Sequence, residues 1–154
     1  MSDFVSNATT SEDATLQNNG FWPGLKLSDF RASMRVDNVA TVDRAAHALE
    51  SAMLTVNARL WKFQQGQQQE GITEAAQIPA RNAERDGDVV VLYKRAVWSM
   101  AKADLVERYR DYDATGDARD RADDMDPMVD DLRQSAAFAI NDIQRQPRMT
   151  VELI

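Results

Sequence analysis

The chain contains no cysteine, a single histidine and only six glycines. Without cysteine there is no disulfide, no thiol nucleophile and no thiolate metal site, and the composition is compatible with a reducing compartment. His47 has no cysteine or second histidine with which to share a metal. A partly exposed packing residue on a helix is expected there, and no serine triad can be assembled without it. Gly20, Gly24, Gly66, Gly71, Gly87 and Gly116 are too dispersed to form a phosphate loop. No apolar run approaches the roughly 20 residues that span a bilayer. The polar, acid-bearing N-terminus lacks the basic and then apolar pattern of a signal peptide, so a soluble intracellular protein with no membrane partner is expected. Bases are also outnumbered: 18 Lys and Arg face 25 Asp and Glu, for a net charge of -7. They come singly or in twos, as at Lys94-Arg95, which leaves no continuous footprint for nucleic-acid phosphates. Such a chain could surround DNA without gripping it. An acid-rich surface supplies carboxylate pairs by chance, so no acid and base can be assigned, and an enzyme is not expected. No catalytic, cofactor or metal residue is assigned.

What the chain does have is helical period. In Asp88 to Tyr112, the residues Val89, Tyr93, Ala96, Val97, Met100, Leu105 and Tyr109 recur mostly three, four and seven apart, with Val90, Leu92, Trp98 and Val106 widening the stripe. A helix apolar over more than one stripe packs on several neighbours, which makes this the central helix. Val42, Ala45, Ala46, Leu49, Met53, Val56, Leu60 and Phe63 predict one long helix over 42–68, started by Thr41. Ser28 is placed to cap a short helix over 29–35, with Asp29 in its first turn and Phe30 and Met34 on its buried side. The last helix is expected from about Asp117 or Pro127 to Gln144, since Asp126-Pro127 is a suitable start and Leu132, Ala136, Ala139, Ile140 and Ile143 form a face. The fold class is thus mainly α, a bundle of about four helices.

The connecting segments are less regular. Residues 1–19 show no sustained apolar period and suggest a flexible arm, or one ordered by a partner. Phe21-Trp22, between Gly20 and Pro23-Gly24, suits either a loop anchored in the core or an anchor between subunits. Residues 70–87 predict a long loop, one that holds a hairpin or extended arm, or touches a neighbour. After Pro147, Met149, Val151 and Leu153 alternate with Thr150 and Glu152, the pattern of a strand with one buried face. Its partner is either the 70s loop or another protein. Asp111, Asp113 and Gly116 match the first, third and sixth positions of a calcium loop, but Thr115 and Ala122 depart from it at the fifth and twelfth. A solvated acidic turn is the plainer reading.

Several words in order resemble the head completion proteins of contractile-tailed temperate phages, which are head-tail connectors or adaptors. These are FWPGLKLSDFRASMRV at 21–36, VNARLWKFQ at 56–64, VVVLYKRAVWSMAKADLVERYRDYDA at 89–114, the acidic Ala122 to Asp126 segment, and the end INDIQRQPRMTVELI. The likeness covers roughly 20–154. It implies a structural virion protein forming a ring, usually dodecameric, beneath the portal after DNA packaging. Such a ring would extend the channel for double-stranded DNA, help retain the genome and offer an attachment surface to the next neck or tail-completion protein. It would be assembled in the host cytoplasm and reside at the head-tail junction. The implied organisation is an arm over 1–19, a helical adaptor domain over 20–146 and a portal-docking tail over 147–154. The tail residues are Arg148, Met149, Thr150, Val151, Glu152, Leu153 and Ile154. Under that reading, subunit contacts would come from the long helix and the 70s loop, with Phe21, Trp22, Arg59, Lys62, Gln68, Ile72 and Ile78 as candidates. An alternative from another class is an acidic regulatory module that mimics DNA toward a basic partner.

Overall fold

The computed structural model describes residues 10–36, 40–80, 87–110 and 118–148. Two short strands, β1 (Thr15–Leu16) and β2 (Leu25–Lys26), pair antiparallel with Thr15 opposite Lys26. Five helices follow: α1 (Leu27–Met34), α2 (Val42–Arg59), α3 (Trp61–Gln69), α4 (Asp88–Arg110) and α5 (Ala118–Gln144). Among the described residues between α3 and α4 there is a 3-10 turn, Ala75–Gln77. The mainly α class agrees with the sequence reading, and the helix number differs from it.

The fifth helix arises because the period over 42–68 does not correspond to one helix. Leu60, at φ -93° and ψ 5°, lies outside helical geometry and separates α2 from α3. Its amide still reaches Val56 O and its carbonyl still accepts from Gln64 N, so pairing is preserved on both sides of the break. The apolar stripe runs through Val56, Leu60 and Phe63 without a proline or glycine, so nothing local announces the interruption. Its effect is tertiary: α3 places Phe63 and buried Gln64 against the loop that carries Trp22.

Two further expectations are corrected, and one choice between alternatives is resolved. Ser28 does not cap α1, which starts at Leu27, two residues earlier than expected. The N-cap position falls at Lys26, which makes no side-chain cap, and the first helical amide, Leu27 N, donates to Ala14 O at 3.0 Å. Residues 10–19 of the expected arm are tied to the body through β1, through Thr10 N to Asp43 Oδ1 and through the side chains of Asn18 and Asn19. Residues 1–9 lie outside the described residues. Of the two starts expected for the last helix, the structure has the earlier: α5 begins at Ala118, next to Asp117, ends at Gln144 as expected, and carries Pro127 inside it. Thr41 does cap α2, accepting from Arg44 N, as the sequence suggested.

The core explains why α4 is central. α4 lies between α2 and α5 and is the main partner of both. Val89, Tyr93, Ala96, Val97 and Ala101 are fully buried. Alanines at 45, 46, 48 and 52 of α2, and at 136 and 139 of α5, keep the facing surfaces low and let the helices approach closely. α5 runs antiparallel to α4. Its Ala139, Ile140 and Ile143 join the main core, whereas Val129 meets Ala103 and Val106 in a separate small cluster toward the other end of α4. Arg133 bridges to Glu107 beside that cluster. Burial pushes the Asp104 carboxyl up there, against the pull of Arg108 and Arg133.

Candidate functional site

The best-built feature is the attachment of the 18–24 loop. Trp22 stacks on Tyr93 of α4, with ring centroids 4.5 Å apart and planes 5° from parallel, and on Phe63 of α3 at 6.2 Å. Phe21 meets Trp22 edge to face at 5.0 Å. Around this stack, three side chains close a ring of hydrogen bonds. Asn18 Nδ2 donates to Tyr93 Oη at 2.8 Å, Tyr93 Oη donates to Asn57 Oδ1 at 2.7 Å, and Asn57 Nδ2 donates back to Asn18 Oδ1 at 2.8 Å. Asn18 Nδ2 also reaches Pro23 O, while Asn19 receives Phe21 N and Trp22 N and donates to Gln64 Oε1. Ala75 N donates to Phe21 O, which joins the 70s segment to the same loop. Gly24 is required here for space: a Cβ would lie 3.0 Å from the backbone oxygen of Leu16.

This places the candidate contact residues in two groups. Phe21, Trp22 and Ile78 are buried within the chain itself, so the core-anchor reading accounts for them and they offer almost no surface. Arg59, Lys62 and Gln68 are exposed and Ile72 is half-buried. The Asn18–Asn57–Tyr93 ring was missed in the sequence. A tyrosine inside an apolar stripe needs a hydroxyl partner, and Asn57 beside Val56 was the available signal.

A second feature concerns the exit of the C-terminal segment. α5 ends at Gln144, whose side chain donates to Arg59 O. Arg148 then folds back, with Nε and a terminal nitrogen on the two oxygens of Asp142 at 3.0 and 2.6 Å and its guanidinium 5.0 Å from the Phe138 centroid. The hydrogen bond from Arg148 holds the Asp142 carboxyl below its ordinary range. Two parallel bonds and a ring face fix the direction in which the chain leaves the helix. Arg148→Ala is expected to leave the melting temperature nearly unchanged, because the pair is at the surface. It should raise hydrogen exchange at 145–148, measured by mass spectrometry. The remaining tail residues, 149–154, lie outside the described residues, as does the acidic turn at 111–117.

Among the surface clefts that the described residues form, two carry polar or charged lining. One, of about 270 Å³, is lined by the 17–24 loop with Glu74 as its only ionisable group. The other carries the Glu12–Arg31 ion pair. His47 is exposed on α2. The surface also shows large apolar side chains, Leu54 at 67 % and Trp61 at 51 % exposure on the α2–α3 side, and Val91 and Met128 elsewhere. No described helix is long and apolar enough to cross a membrane.

A helical body of this kind does not by itself fix a role, and the class of protein follows from comparison with known proteins. Residues 16–154 match the family described as phage head completion protein (GPL), and the chain belongs to that structural, non-enzymatic virion family. It is 32% identical over 143 residues to the head completion/stabilization protein of Escherichia phage P2, covering 93% of this chain and 85% of that one. It is 24% identical over 98 residues to the probable head completion/stabilization protein of Haemophilus phage HP1 (strain HP1c1), covering 64% of this chain and 65% of that one. No solved structure matches the chain.

Proposed function

We propose that this head completion protein acts as a ring adaptor at the head-tail junction, assembling beneath the portal once the genome is packaged. The carrying observation is the family match across nearly the whole chain, ending at the last residue of the C-terminal segment. In this reading the helical domain over 20–146 forms the ring wall, a dodecamer matched to the portal, and the tail over 147–154 docks on the portal. The ring extends the channel for double-stranded DNA, retains the filled head's genome and presents a surface to the next neck or tail-completion protein. The net charge of -7 suits a lumen through which DNA slides without adhering. Arg59, Lys62, Gln68 and Ile72 provide part of the side-to-side contact. The Arg148–Asp142 pair supports the docking role by setting where each tail leaves its subunit.

Mechanism here is geometry and multivalency. Each tail binds weakly, and many tails on one ring bind a symmetric portal far more tightly than one does. The expected result is a native mass for the chain mixed with the portal of the same phage that gains about twelve copies, the match a dodecameric portal demands. Removing residues 148–154 should abolish that gain while leaving a folded helical protein. A chain that ignores an assembled portal would overturn the ring reading, and normal binding by the truncation would overturn the docking role of the tail.

A further inference from the structure

We propose that the contact of Arg148 with Asp142 and Phe138 is a latch: it holds the base of the C-terminal segment back over its own α5 in the free subunit and opens when that segment docks. The latch takes its partner, the portal, from the docking reading above. α5 closes in a turn that reverses the chain. Gln146 N donates to Asn141 O at 2.8 Å and Arg145 N to Asp142 O at 3.2 Å, the paired bonds of a helix end whose next residue is left-handed. That residue is Arg145, at φ 56°, a conformation that glycine usually takes and that an L side chain adopts at a cost. Phe138 lies six residues before the last of α5, roughly 9 Å back along its axis. A chain continuing straight would carry Arg148 up to roughly 13 Å beyond that end, farther than an arginine and a phenylalanine side chain together can span. Arg148 nonetheless covers the Phe138 ring and bonds both oxygens of Asp142, so the chain has doubled back.

Two opposed contributions give this element two accessible states. The parallel hydrogen bonds and the ring face hold Arg148 down. Against them stand the left-handed Arg145 and the screening of a pair whose arginine side chain is 51 % exposed, which keeps the hold weak. A segment that adds as a strand to another protein has to stand clear of its own subunit, and a base turned back over α5 works against that. The portal then competes with Asp142 and Phe138 for the segment, and apparent affinity falls by the fraction of copies that are latched. Asp142 and Phe138 belong to α5 and lie outside the docking segment. The latch can therefore be altered without touching the residues that would meet the portal.

Because the chain has no cysteine, a nitroxide attached through Gln134→Cys has a single site. Gln134 is exposed and lies one turn before Phe138 on the same side of α5. In NMR spectra of the free chain the label should broaden the amide signals from Arg148 onward. Asp142→Asn should restore their intensity several-fold, whereas Asp142→Glu, which keeps the carboxylate, should leave most of the broadening. Binding of the unlabelled chain to the assembled portal should become several-fold tighter in Asp142→Asn. It should become several-fold weaker in Arg145→Gly, which removes the cost of the left-handed turn and favours the turned-back state. Unchanged melting of both variants shows that the fold is kept. Broadening that is absent from the parent, or the same in Asp142→Asn, would overturn the latch, as would portal binding by Asp142→Asn no tighter than the parent's. Broadening that depends on Asp142 in a chain that never binds the portal would instead sink the docking reading alone.

Discussion

Trp22→Ala is expected to be the most damaging single substitution in the chain, lowering stability by about 3–5 kcal/mol and the melting temperature by about 10 °C. The indole is 2 % exposed and is sandwiched by Tyr93 and Phe63, with Phe21 at its edge. Its Nε1 is buried with no hydrogen-bond partner, so ring packing rather than hydrogen bonding holds it. Truncation removes the group that joins the 18–24 loop to α3 and α4 together, and the cavity has rigid helices on two sides that cannot collapse into it. Trp22→Phe keeps part of the stack and should recover much of the loss. Trp61→Ala provides the contrast: an exposed aromatic whose removal should change the melting of the isolated chain by no more than about 0.5 kcal/mol. Urea unfolding followed by circular dichroism measures all three. A Trp22→Ala protein as stable as the parent would show that the loop is not held by this stack.

Stability is also expected to fall steeply between pH 10 and pH 12, and the part due to Tyr93 should vanish in Tyr93→Phe. Burial pushes the Tyr93 phenol up to about 12, with the Asn18 hydrogen bond pulling weakly the other way. In the unfolded chain a tyrosine loses its proton near its ordinary value of about 10. Below that value both states hold the proton and the contribution is intact. As pH rises from 10 toward 12 the unfolded state releases a proton that the folded state retains, so unfolding gains up to about 2–3 kcal/mol. At neutral pH, Tyr93→Phe should itself cost about 1–3 kcal/mol, because Asn57 Oδ1 loses its donor while Asn18 keeps Pro23 O. Denaturation midpoints for the two proteins at pH 8 and pH 11.5 separate the effects. Parallel loss in both would show that the phenol is not the responsible group.

Much of this architecture follows from period alone. The stripe from Val89 to Leu105 identified α4 and its central place, since a helix apolar on several sides must be enclosed on several sides. Thr41 and the alternation of Ala45, Leu49, Met53 and Val56 located the start and the buried face of α2, because capping and amphipathic spacing are local properties. The absence of cysteine and the excess of acid limited the chemistry before any fold was known, and the ordered words identified the family. The choices left open were those in which distant segments compete for the same group. Whether Phe21 and Trp22 face the core or a neighbour depends on Phe63 and Tyr93 arriving from two other helices. The break at Leu60 carries no local signal, because it serves to bring Phe63 and Gln64 over that loop. Ser28 was a competent cap by its type, yet the helix begins ahead of it at Leu27, whose amide finds Ala14 O beside β1. Leu54 differs little in the sequence from the apolar residues around it, and only the packing of α2 on α4 decides that it faces outward. Local patterns state which groups need partners, and the tertiary structure decides which partner each one receives.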